Sequence, residues 1–188
     1  PFIYQGQEFG SANSYYDDIK YFNDVESVNY YKENVDKKPR EKLVEEINYG
    51  SRDNTRRPVA WTNEPPAHGF TNGTPWLAPP SRANEINLEN DKGSEKSIFE
   101  FYKNVLKIRN ESKTIKRGAF KDITKNSGSF VYERTLGEEK FVVAINGEHP
   151  NELTLPNNLS PETFEKVLSN YNDGNDFSTA FRSFEARV

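Results

Sequence analysis

Residues 1–10, PFIYQGQEFG, and residues 50–61, GSRDNTRRPVAW, are the two stretches on which the reading of this chain turns. The first opens with Phe2, Ile3 and Tyr4, a short apolar run closed by a polar, Gly-containing turn, which is the pattern of a buried strand that ends in a loop carrying chemistry. A strand at the first residue needs neighbours to satisfy its edges. The chain also contains no Met, so it is expected to begin inside a larger protein. In the second stretch Arg52, Arg56 and Arg57 flank Asp53. A guanidinium held by a carboxylate can fix planar hydrogen-bond geometry toward a polar ligand, and an ordinary loop ion pair has the same spacing.

Composition bounds the rest. With 188 residues, 34% hydrophobic and 13% aromatic, the chain can build one large or two small cores. A net charge of −4 with acids and bases interspersed argues against nucleic acid and against an anionic membrane surface. There is no Cys, and the two His, His68 and His149, are far apart, so neither a disulfide framework nor a metal centre is expected. No apolar run approaches the roughly 20 residues of a membrane span. The cytoplasm is the expected compartment.

From the first stretch outward, SANSYYDDIKYFND is polar and Tyr-rich, as a surface loop with binding groups is. Asp24 is placed to cap a helix with Val25, Val28, Tyr31 and Val35 on one side, and Glu26 falls in its first turn, where the helix dipole favours an acid. A second helix is predicted with Pro39 near its start, Leu43, Val44 and Ile47 as its apolar stripe and Gly50 as its stop. Residues 51–80 have no sustained period, which predicts a long ordered loop of the kind that builds a site. Ser94 is expected to open the clearest helix, SEKSIFEFYKNVLKIRNES. Beyond Lys113 the period becomes two in GAFKDIT, SGSFVYERTL, EKFVVAIN, NELTLP, EKVLSNY and SFEARV, predicting short strands of an antiparallel sheet or sandwich. These strands show no aromatic cluster that marks a binding face.

PFIYQGQEFG resembles the eighth barrel strand of glycoside hydrolase family 13, the α-amylase family, where oligo-1,6-glucosidases and related α-glucosidases read P-Y-I-Y-Q-G-E-E-I-G. NDVESVNYY is similar to the family's D-V/I-E-x-x-N-x-Y helix, SRDNTRRPVAW to its R-D-N-x-R-T-P-M-Q-W loop, and HGFTNGTPWL to its A-G-F-T-x-G-x-P-W segment. SIFEFYKNVLKIRNES resembles the last barrel helix, and FRSFEARV the final strand of the β-sandwich called domain C. The resemblance covers essentially the whole chain. Arg57 stands where the family has Thr, and Val59 and Ala60 where it has Met and Gln.

The resemblance implies an α+β fragment. Residues 1–112 are expected to supply the last strand, the catalytic-face loop and the final helix of a (β/α)8 barrel, and residues 113–188 domain C. It implies retaining hydrolysis of short α-glucosides, in which two carboxylates about 5 to 5.5 Å apart attack and protonate the scissile bond. Nucleophile, acid/base and stabilising carboxylate belong to strands upstream of Pro1, so no catalytic residue, metal or cofactor is assigned here, and this chain alone is expected to be inactive. The resemblance assigns sugar binding to Arg56, which holds hydroxyls of the non-reducing-end glucose, and to Glu26, at the next subsite. Arg57 is expected to be exposed, and Trp61 and Trp76 to pack. Alternatives are a trehalose-6-phosphate hydrolase and a non-catalytic relative such as an amino-acid transporter heavy chain. The expected partners are α-glucoside oligosaccharides and the remainder of the barrel.

Overall fold

In the computed structural model, residues 2–154, 163–171 and 178–188 are described. The chain divides into two units, Pro1–Tyr102 and Lys103–Val188. The architecture is α+β, with antiparallel sheets confined to the second unit.

In the first unit the opening run is not a strand. Phe2, Ile3 and Tyr4 are exposed and belong to no helix or strand, and a turn at Gly6 leads into a 3₁₀ turn, Gln7–Phe9. A ladder needs a neighbour's N–H and C=O groups, and among the described residues no segment pairs with this run. Gly6 adopts φ 83°, and a Cβ there would lie 2.8 Å from that of Ser11, so both conformation and space require glycine.

Helix α1, Val25–Asn34, starts where expected, with Asp24 accepting from the Ser27 amide. Its predicted stripe is not a buried face: Val25 and Val35 are exposed, and Ser27 is the buried residue. Helix α2, Arg40–Gly50, follows Pro39 and buries Leu43, Val44 and Ile47. Each full burial contributes roughly 1.5 to 3 kcal/mol. A 3₁₀ turn, Arg52–Thr55, opens the long loop. Order in that loop comes from backbone bonds such as Trp61 N–H to His68 C=O at 2.8 Å and Leu88 N–H to Ala60 C=O at 3.1 Å.

Helix α3, Leu88–Lys92, is capped by Asn87 and was not foreseen. Helix α4, Ile98–Glu111, begins four residues later than expected. The Asp91 carboxylate accepts from the amides of Ile98 and Phe99, and Ser97 Oγ from that of Glu100, so the orphan amides are met from Asp91 and Ser97 rather than Ser94. The division between the units falls within α4.

In the second unit α5, Lys113–Arg117, is capped by Ser112 and packs on β2 and β3. Strands β1 (Ala119–Asp122), β2 (Ser129–Leu136), β3 (Glu139–Asn146) and β6 (Ala186–Arg187) form an antiparallel sheet in the order β1-β2-β3-β6. Strands β4 (Asn151–Glu152) and β5 (Ala180–Phe181) form a separate pair. Val131 and Ala144 of the sheet share a core with Leu153 and Phe181.

Residues 155–156 of the NELTLP run lie outside the described residues. EKVLSNY forms no ladder of its own and touches β6 through a bridge between Ser169 and Arg187. An aromatic row does form on β1 and β2. Phe120, Tyr132 and Phe130 form a row with ring centroids 5.4 Å apart at each step: Phe120 and Tyr132 meet diagonally across β1 and β2, a contact that strand register creates, and Phe130 and Tyr132 are alternate residues of β2.

Candidate functional site

Two buried carboxylates organise the site. Asp53, 0% exposed, sits in the Arg52–Thr55 turn because Ser51 Oγ accepts its amide. Its Oδ2 accepts the amides of Asn23 (2.6 Å) and Asp24 (2.9 Å), and its Oδ1 accepts Nη2 of Arg56 (3.0 Å). Asp24, the cap of α1, accepts the Ser27 hydroxyl on Oδ2 (2.8 Å) and Nε of Arg52 on Oδ1 (3.1 Å). Burial pushes the Asp24 carboxyl up, but the Ser27 hydroxyl and amide and the Arg52 guanidinium outweigh it and hold the group below the usual carboxylate range.

The structure therefore brings Arg52, Arg56 and Asp53 together, and adds Asp24, whose place in the sequence marks it only as a helix cap. Its position one residue before Val-Glu-Ser gives the cap; its second role depends on a loop 28 residues away. Arg56 reaches Asp24 as well, at 3.4 Å. All its bonds run through Nη2, and among the described residues its Nε and Nη1 have no partner. The side chain is 39% exposed, and its guanidinium lies 5.9 Å from the Trp76 ring centroid.

Glu26 joins this group at its margin. Its side chain is 80% exposed, with one oxygen 3.8 Å from Arg52 Nη2, so Glu26 is linked by way of Arg52 to Asp24, which Arg56 contacts directly.

Arg57 and the tryptophans depart from expectation. Arg57 is 4% exposed. It stacks on the Tyr16 ring at 4.2 Å, donates from Nη1 to the Ala78 carbonyl at 3.1 Å and from Nη2 to the Tyr21 carbonyl at 3.4 Å. Burial draws its pKa down from the ordinary arginine value. Two aromatic neighbours from the Tyr-rich loop enclose it, which spacing along the chain cannot reveal. Trp76 is 68% exposed and Trp61 is exposed too, so neither is the packing residue expected.

A cavity of about 400 Å³ is lined by residues 4–7, 11–13, 54–55, 57–59 and Pro80. It excludes Arg56 and Glu26. Among the described residues no group of three His, Cys, Asp or Glu could hold a metal ion, and no helix is long and apolar enough to cross a membrane.

Comparison with known proteins adds context to this geometry. Residues 1–118 match the family described as alpha amylase, catalytic domain. An oligo-1,6-glucosidase of Bacillus cereus is 34% identical over 194 residues, covering 100% of this chain and 35% of its own length. One from Parageobacillus thermoglucosidasius is 34% identical over 176 residues, covering 91% of this chain and 31% of itself. The crystal structure of Bacillus licheniformis trehalose-6-phosphate hydrolase superposes with a TM-score of 0.86 at 34% identity, covering 100% of this chain and 35% of that one. The chain thus spans about a third of the length of the relatives it matches.

Proposed function

The chain belongs to the α-amylase catalytic-domain family, and from that premise we propose that it is the C-terminal portion of a retaining α-glucosidase of the oligo-1,6-glucosidase type, acting on short α-glucosides. In this reading residues 1–112 complete a (β/α)8 barrel with its last strand, catalytic-face loop and final helix, and residues 113–188 form the appended sandwich. The packing of α5 on β2 and β3 supports a boundary after Ser112, and the core shared by Val131, Ala144, Leu153 and Phe181 supports a sandwich.

The observation that carries the reading is the state of Arg56. Its guanidinium is fixed by two buried carboxylates and keeps Nε and Nη1 without partners among the described residues. Such a group presents charge-assisted donors at a set orientation, which is what selecting one face of a neutral sugar requires. Trp76 offers an exposed ring beside it, and Glu26 an exposed acceptor for hydroxyl donors.

Cleavage in this class needs a carboxylate nucleophile and a second carboxyl as acid and then base, with no cofactor. Both are assigned to the remainder of the barrel, the partner this chain requires. Arg56 and Glu26 bind and orient the sugar, and neither touches the bond that breaks. The proposed compartment is the cytoplasm, with neither nucleic acid nor membrane as a partner.

The test is release of glucose from isomaltose by the full-length protein and by the 188-residue chain. Turnover by the first and none by the second above a denatured control is expected. Turnover by the chain alone, or none by either, overturns the reading. A second reading, trehalose-6-phosphate hydrolase, has the support of the equally identical Bacillus licheniformis structure. Preference for the phosphorylated disaccharide over isomaltose would select it.

A further inference from the structure

Strands β2 and β3 carry apolar residues on both sides. Val131 and Ala144 point into the core, so Phe130, Tyr132 and Arg134 of β2 share the opposite face with Ile145, Val143 and Phe141 of β3, which stand directly across from them in that order. β1 adds Phe120, which stands across from Arg134 on its other side. An antiparallel sheet with one solvated face alternates apolar and polar residues, whereas here the second face is as apolar as the first. Phe120 is nonetheless 54% exposed and Phe130 42%, and Ile145 is exposed beside them. A contiguous apolar area of this kind marks a contact surface.

Arg134 stands within that area, between Phe120 and Phe141. Its Nε is enclosed, and among the described residues its guanidinium has no hydrogen-bond or ion-pair partner. Buried polar groups are almost always hydrogen-bonded, so this one calls for an acceptor from another segment. An arginine among aromatic side chains in an apolar area is the composition of an interface core. The choice of occupant follows from what else the chain lacks. It spans about a third of the length of the relatives it matches, and Phe2–Tyr4 has no strand partner among the described residues. A polypeptide that supplies such partners is joined covalently to this sheet, at an effective concentration that a free molecule does not reach. A glucan fits less well, because the rings are tilted by 36° and 39° to one another and Val143 and Ile145 offer nothing to sugar hydroxyls.

We propose that the outer face of β1, β2 and β3 is the docking surface for the remainder of the barrel within the same polypeptide, with Phe120, Phe130 and Tyr132 packed against it and Arg134 donating to a carboxylate or backbone carbonyls that it presents. The inference rests on the reading that residues 1–112 complete a barrel, and does not require that the barrel hydrolyse α-glucosides.

The experiment is hydroxyl-radical labelling of the full-length protein, read by mass spectrometry at Phe120, Phe130 and, for reference, Phe184, which is 66% exposed ahead of β6. An interface core excludes water, so Phe120 and Phe130 should be labelled at least about fivefold more slowly than Phe184. A smaller difference overturns the proposal. The labelling is run on protein shown by light scattering to be monomeric, with and without dextran. Protection confined to dimers, or appearing only with dextran, overturns it in favour of a second copy or a glucan. Arg134→Glu sets an acid against the acceptor and should bring Phe120 and Phe130 to within about twofold of Phe184. If that variant fails to fold by circular dichroism, Arg134→Met, which keeps an apolar stem and leaves the acceptor unmet, should raise their labelling at least about threefold. Unchanged labelling in the folded variant overturns the proposal. Isomaltose turnover is read separately: an active enzyme with the face labelled sinks this inference alone, and an inactive one with the face protected sinks only the α-glucosidase reading.

Discussion

Asp53→Asn replaces a group that only accepts with one that must also donate. Every partner of the Asp53 carboxylate is a donor: the amides of Asn23 and Asp24 on one oxygen and Arg56 on the other. If the asparagine NH₂ faces the amides, two buried N–H groups lose their acceptor, at about 1 to 3 kcal/mol each. If it faces Arg56, the amides keep a weaker neutral acceptor and the ion pair is lost. The second arrangement costs less, because Arg56 is 39% exposed and water screens its charge. The net cost is about 2 to 4 kcal/mol, below the 3 to 5 of a fully buried pair. Amide exchange at Asn23 and Asp24 in the 188-residue chain should then quicken about thirtyfold to a thousandfold. Isomaltose turnover by the full-length protein should fall in the same range if Arg56 orients the sugar. Glu26→Gln, at an exposed site, should change local exchange by less than about twofold, within roughly 0.5 kcal/mol. Exchange in Asp53→Asn within threefold of the unaltered chain, or an equal effect from Glu26→Gln, would refute the account.

The two neighbouring arginines should separate by assay. Arg57→Ala removes two carbonyl bonds and a ring stack and should cost about 2 to 4 kcal/mol in urea unfolding, more than Arg56→Ala, whereas Arg56→Ala should give the larger loss of kcat/KM per unit of stability lost. In the second unit Glu185 is fully buried; burial raises its carboxyl, but bonds from Arg182 and Arg187 outweigh this and lower it from 4.5 to about 2. A depressed carboxylate stabilises fully above its unfolded value and loses that contribution as pH falls through the folded one. Glu185→Gln should therefore remove up to about 3 kcal/mol at neutral pH and flatten the stability slope between pH 4.5 and 2, read by thermal melts across that window. Gly118→Ala would set a Cβ 2.6 Å from the Thr114 carbonyl oxygen and 2.8 Å from that of Thr135, both backbone, and should cost about 1 to 3 kcal/mol; an unchanged melting temperature would count against the α5–β1 geometry.

Features that depend on near neighbours in the chain were legible from the sequence. Asp24 as cap, the Leu43, Val44 and Ile47 stripe, the stop at Gly50, and the long strands β2 and β3 are settled within a few residues, by hydrogen bonds and periodicities that local spacing specifies. The ordered motifs from PFIYQGQEFG to FRSFEARV sufficed to indicate the α-amylase family, since their types and order are properties of the chain. Tertiary structure decided the rest. A run such as Phe2–Tyr4 becomes a strand only if another segment pairs with it, and Val25 and Val35 are buried only if something covers them. Arg56 and Arg57 are adjacent and chemically identical. One is half-exposed because Asp24 and Asp53 hold it at a surface, and the other is buried because Tyr16 and Phe22 close over it. Asp53 lies three residues from Arg56, but Asp24, Tyr16 and Phe22 are about 30 to 40 residues distant, and no local pattern encodes which of two like neighbours will meet them.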